Sequence, residues 1–228
     1  MREARVPQVI ALAMLVLAAV AANTFASSPP PSPRGEKAAE ALVAAWERKL
    51  HGTYVVDQTF TRTLPDGSVL RDGSRLVQRP PDRLVVGLGA ASGTVGGKIV
   101  RCSPAAIQTC TSTADAGPYD DDVAAELATL RSYVEGPTPL YRVTEYVDRG
   151  CFSLVLALQL PAPPYGHDAL FCFDPATGAP TLEVVQRVEG TDRTEAHAIR
   201  GQVTDDDLRV PDDKGDPQIS VPDSSSSS

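Results

Sequence analysis

Between Gly52 and Arg101 apolar residues recur at alternate positions, and turn-forming residues cut the alternation into short lengths. Tyr54, Val56 and Phe60 share one face, while Thr53, Asp57, Thr59 and Thr61 fall mostly on the other. That is the period of a half-buried antiparallel strand. Pro65-Asp66-Gly67 supplies a turn, because proline presets its own φ, aspartate bonds the backbone ahead and glycine accepts a positive φ. A second strand is expected over 68–79, and Pro80-Pro81-Asp82 breaks it before a third, 83–88. Gly89 to Gly97 reads as a loose glycine-rich hairpin loop, leading to a fourth strand over 98–102. A chain built this way is committed to a meandering antiparallel sheet.

Two stretches change the period. From Glu36 to Leu50, Ala38, Leu42, Trp46 and Leu50 recur at four-residue steps, widened by Val43, which predicts a first helix. From Asp120 to Glu135, Val123, Leu127, Leu130 and Val134 form a second stripe. Asp120 to Asp122 crowd its start, where negative charge complements the helix dipole, and Gly136-Pro137 ends it. Ser103 to Gly117 reads as a loop pinned by its flanking cysteines. Strands return over 141–147 and 151–160, then 169–174, 181–188 and 194–204, with a short last one over 207–210. The strand over 151–160 places Phe152, Leu154, Leu156, Leu158 and Leu160 on one face, which demands a large apolar partner: the helices, a lipid-like ligand, or both. The fold class is α+β: one strongly curved antiparallel sheet of nine or ten strands, covered by two helices.

The 228 residues suit one well-buried domain. A formal charge of −8, with arginines scattered among aspartates, supplies no concentrated basic surface and sets nucleic-acid binding aside. Residues 1–26 combine a charged start, an apolar run from Val9 to Ala22 and a small-residue exit at Ala26. Cleavage as a signal peptide and retention as a membrane anchor both fit this segment, and both export the rest of the chain. A Pro/Ser-rich linker, 27–35, leads to a single domain over 36–211. The acidic, serine-rich 212–228 has nothing to bury and is expected to be disordered.

Four cysteines, Cys102, Cys110, Cys151 and Cys172, behind an exporting N-terminus indicate two disulfides. Pairing Cys102 with Cys110 and Cys151 with Cys172 closes the shortest loops. The second pair requires an asymmetric loop or a bulge, because a simple hairpin turning at 161–168 does not oppose those residues. No Cys-x-x-Cys pair is present, and no two of His51, His167 and His197 have metal-ligand spacing, so no metal or cofactor is expected. Gly87 to Gly93 lacks the third glycine and the following helix of a dinucleotide fingerprint, and Ser92 to Ile99 misses a phosphate loop. No Gly-x-Ser-x-Gly elbow occurs. The chain reads as non-catalytic.

The first helix, Gly52-Thr-Tyr-Val-Val56, the two Asp-Gly-Ser turns, and Gln78-Arg79-Pro80-Pro81-Asp82-Arg83-Leu84 together resemble the lipoprotein-carrier (LolA-like) superfamily, which includes MucB-like and RseB-like regulators. Leu208-Arg209-Val210-Pro211 is similar to that family's closing strand. The resemblance covers 36–211 loosely and 52–86 best. It implies an open half-barrel whose concave apolar face is lidded by helices and can hold acyl chains. The ligand-facing candidates are then Trp46, Tyr54, Phe60, Leu154, Leu156 and Leu158. Two functions follow as expectations: an exported or membrane-tethered protein binding a lipid or other apolar ligand, or a structural or regulatory ectodomain with a filled core that binds a protein partner.

Overall fold

A computed structural model of the chain describes residues 34–87, 90–102 and 110–210; of 110–113 it describes the backbone only. The expected signal peptide or anchor, most of the linker and the C-terminal tail lie outside these residues. Among the described residues no helix is long and apolar enough to cross a membrane.

Helix α1, Glu36–His51, is followed by a first meander: β1 Tyr54–Thr63, β2 Val69–Arg79, β3 Asp82–Gly87, β4 Ala90–Val95, β5 Lys98–Cys102 and β6 Cys110–Asp115. Helix α2, Tyr119–Val134, leads to a second meander: β7 Tyr141–Tyr146, β8 Cys151–Leu156, β9 Asp168–Phe173, β10 Pro180–Arg187 and β11 Gly190–Arg200. The strand order is β6-β5-β4-β3-β2-β1-β11-β10-β9-β8-β7, and every pair is antiparallel. The first meander grows outward from β1, and the second grows inward to β11. The seam between them is the β1–β11 pair, with Val55 opposite Arg200 and Thr63 opposite Thr191. The sheet is open and curved, the α+β half-barrel architecture expected, with eleven strands rather than nine or ten.

The differences in count have physical causes. Ala90–Val95, rich in alanine, serine and glycine, lacks the β-branched and aromatic residues that announce a strand, yet it pairs fully with β3 and β5. Gly93 fits there because a side chain at that position would collide with the Arg83 carbonyl oxygen at 1.9 Å. Likewise Cys110–Asp115 pairs with β5 rather than lying in a loop. The strand expected over 207–210 is instead a 3₁₀ turn, Asp205–Leu208, fixed by a capping box between Thr204 and Asp207. Strand β8 stops at Leu156: the Ala157 amide still donates to the Leu140 carbonyl in step with the β7 pairs, and beyond it the chain bends away into the loop before β9. The three aspartates at the start of α2 make no side-chain cap; Pro118 holds the N-cap position.

Both helix stripes are buried as their spacing predicts. Leu42, Val43, Trp46 and Leu50 of α1 and Val123, Leu127, Leu130 and Val134 of α2 meet Tyr141, Val143, Phe152, Leu154, Phe171, Phe173 and Val185 of the second meander. The opposite face of the first meander is covered by the chain after β11: Leu208 packs with Val55, Val77, Leu84, Val86 and Val100. With cover on both sides, Tyr54, Val55 and Val56 are all buried, and the expected half-buried alternation fails at the start of β1.

Cys151 and Cys172 are bonded and lie opposite each other in an unbulged β8–β9 ladder. Against the expectation, the pair needs no asymmetric loop or bulge: β8 ends early, and the even β8–β9 register closes through a long loop, 157–167. Tyr141 steadies that loop by donating to the Gly166 carbonyl and accepting from the Tyr165 amide. Cys102 is disulfide-bonded and stands opposite Cys110 in the β5–β6 register; the side chain of Cys110 lies outside the described residues.

Candidate functional site

The six ligand-facing candidates do not converge. Trp46 is 6% exposed, with its ring edge-on to Phe171 and Phe173 at centroid distances of 5.2 and 5.9 Å. Leu154 is fully buried in the same core, and Leu156 packs at its margin. Tyr54 is buried beneath the end of α1, and its hydroxyl donates to the Lys49 carbonyl. Phe60 is half-buried further along β1, with the Arg62 guanidinium 5.8 Å from its ring centre. Leu158, beyond the end of β8, is 49% exposed, and Leu160 is exposed beside it. Under the helices, the second meander is therefore packed solid with aromatic rings.

The hollow lies elsewhere, on the helix face of the first meander. A half-open cavity of about 760 Å³ is bounded by β3, β4 and β5, the approach to α2 and the first turns of α2. Leu50, Val85, Ile99, Val123 and the Tyr119 ring give it apolar walls; Ser92, Gly93 and Thr94 floor it with small side chains. Small residues make the space: serine, glycine and threonine stand where the second meander has phenylalanine. They carry no hydrophobic pattern, which is why periodicity points to the other half. The one available signal was negative, a run of strand-forming register without bulk.

A polar clasp closes one end of the cavity. The carbonyls of the last turn of α1 have no partner within the helix. Gln78, the one buried polar side chain among the described residues, donates from Nε2 to the Leu50 carbonyl at 2.7 Å and to the Tyr119 hydroxyl at 2.8 Å. The Tyr119 hydroxyl donates in turn to the Leu50 carbonyl. Helix α1, strand β2 and the start of α2 are thus tied at one point. Burial pushes the hydroxyl titrations of Tyr54 and Tyr119 upward, so both stay protonated donors.

Charges gather beside the clasp. The Lys49 ammonium stands 3.9 Å from the centre of the Trp46 ring. Burial, helped by the charge of Arg83, lowers its pKa to about 8 against the opposing pull of Glu126 and Glu183. The Trp46 indole N–H donates to Glu126 at 2.7 Å. Arg83 and Glu126 both line the cavity.

Among the described residues no group of three or more histidine, cysteine, aspartate or glutamate side chains could hold a metal ion. The ring of His51 lies edge-on to Tyr119.

No family model and no curated protein matches the chain. Among solved structures it is similar to a chain of the MucA/MucB complex of Pseudomonas aeruginosa, with 14% identity, a TM-score of 0.45, and coverage of 77% of this chain and 61% of that one. It is also similar to a LolA superfamily protein of Nitrosomonas europaea, with 10% identity, a TM-score of 0.33, and coverage of 75% and 97%. LprF of Mycobacterium bovis gives 11% identity and a TM-score of 0.32, covering 78% and 99%. This chain spans less than two thirds of the first of these. These are likenesses of fold alone.

Proposed function

We propose that the chain is a non-catalytic, exported binding protein that holds a lipid or other apolar ligand in the hollow of its first meander. The cavity carries this reading. Its volume of about 760 Å³ falls in the range of about 300–1,000 Å³ typical of small-molecule sites, and it is walled by apolar side chains with few polar groups. The filled core around Trp46 and Leu154 would be scaffold, and the ligand would lie against Val85, Ile99 and Val123. Export is supported by the N-terminal apolar segment and by the Cys151–Cys172 disulfide, a bond at home in an oxidising compartment. Native mass spectrometry of the full-length chain, purified from an oxidising host, tests it. An additional mass that organic extraction removes and identifies as lipid is the expected result. A clean apo mass that ignores added lipid overturns the reading.

One observation favours the second function, a regulatory ectodomain reading a protein partner. The β1–β2 and β10–β11 hairpins end side by side, because Thr63 pairs with both Val69 and Thr191. Their tips leave Val69, Leu70 and Val188 more than half exposed. Exposed aliphatic residues grouped in this way are suited to a protein contact.

A further inference from the structure

Past Arg83 and Val85 the hollow meets a smaller recess of about 140 Å³, whose walls include both of those residues together with Lys49, Gln58, Glu183 and Thr194. Several cations of the sheet are paired with aspartates, and the two at this junction are not. Elsewhere on the sheet Arg62, Arg75, Arg79, Arg187 and Arg200 are each held by an aspartate, two of them bidentately. Among the described residues, neither Lys49 nor Arg83 has a carboxylate within ion-pair distance, and the guanidinium of Arg83 donates no hydrogen bond. Lys49 lies over the Trp46 ring, and Glu126 and Glu183 act on it from beyond ion-pair distance. Within the recess, two positive charges face one carboxylate, that of Glu183. Glu126, on the helix side, is engaged by the Trp46 indole.

In the empty protein, water serves the donors of the half-buried Arg83. A purely apolar ligand filling the hollow would strip that water and leave a guanidinium without an acceptor, which is costly. A ligand ending in an acid would supply the acceptor, and the planar fork of arginine matches a carboxylate bidentately. Building on the lipid-binding reading above, we propose that the occupant is an acidic amphiphile of the long-chain fatty acid type. Its chain lies against Leu50, Val85, Ile99 and Val123, and its carboxylate is taken by Arg83 and Lys49 at the mouth of the recess.

The test is equilibrium dialysis of the full-length chain against palmitate and against its methyl ester, which keeps the chain and removes the charge. Emission of Trp46, the only tryptophan, gives a second readout through its contact with Lys49. Palmitate should bind at least about tenfold more tightly than the ester, the scale of one charge-assisted hydrogen bond. Arg83→Gln and, separately, Lys49→Gln should bring that ratio towards one. Glu183→Gln should raise it, a gain that no loss of folding can imitate. Equal binding of acid and ester overturns the acidic-head proposal and leaves the apolar-ligand reading standing. Binding of neither overturns both.

Discussion

The two meanders are built on one plan and finished differently. Each is a run of antiparallel strands that turns one face to the helices. On the second meander that face carries Tyr141, Phe152, Phe171 and Phe173, and these interlock with Trp46 and Tyr165 into a solid core. On the first meander the equivalent face carries Val85, Ser92, Thr94 and Ile99, and the space beneath α2 stays open. Backbone topology does not decide which half is hollow. Side-chain volume does, and the difference separates a filled half from a hollow one.

Substitutions test that division directly. Trp46→Ala, in the filled half, should cost about 3–5 kcal/mol in urea unfolding, the transfer term plus a cavity term. Ile99→Ala, on a wall that already faces open space, should cost about 1 kcal/mol or less, because no new cavity forms. Comparable losses at the two positions would break the comparison. Replacing both Cys151 and Cys172 by alanine should cost about 3 kcal/mol, as expected when a loop with a sequence separation of 21 is released in the unfolded chain. Gln78→Leu sits where the halves are tied together. It removes two donated hydrogen bonds and should lower stability by about 1–3 kcal/mol, with the loss visible as faster hydrogen exchange at the end of α1.

Smaller effects sharpen the picture. Thr94→Phe should fill the hollow with the kind of side chain the other half uses, shifting stability by less than about 1 kcal/mol while abolishing lipid uptake in native mass spectrometry. Retained uptake would place the ligand elsewhere. The smallest effect concerns the turn that covers the outer face. Burial pushes the Asp207 carboxyl up, but the Arg200 guanidinium, the Thr204 amide and the Thr204 hydroxyl outweigh it and hold the pKa at about 2, below its ordinary 3.8. A carboxyl lowered by folding stabilises in full above about pH 4 and loses that contribution as pH falls towards 2. Melting temperatures of the parent and of Asp207→Asn should therefore draw together as pH falls below 4 and meet near pH 2. The gap above pH 4 should be under about 1 kcal/mol, as solvent screening dictates.

What the sequence revealed follows from how loudly each feature is written. The stripes of α1 and α2 repeat at helical spacing, and both helices lie where the spacing places them. Strands rich in valine and leucine were equally plain. Leu158 and Leu160 continued an alternation past its structural end, because the pattern does not record that the chain bends out of the sheet after Ala157. The two added strands, Ala90–Val95 and Cys110–Asp115, are short of large apolar residues, and only their neighbours' pairing draws them into the sheet. The site was the least legible part. Of the large apolar residues expected around a ligand, Trp46 and Leu154 lie in the filled core, while Leu158 is exposed. A cavity is made by what is missing, and Ser92, Gly93 and Thr94 carry no pattern of their own.

The strand order also bears on how the chain reaches this state. Val55, near the start of the sheet, has its partner at Arg200, near the end. If the chain emerges from its N-terminus, β1 acquires β2 on one side at once and then waits for almost the whole domain before β11 closes the other. During that interval an unpaired edge with Val55 and Val56 stands open in what will become the middle of the sheet. Pairing of such distant segments is slow, and an exposed edge invites partners from other chains. The central seam, in the middle of the finished sheet, is thus the part most exposed to error during assembly.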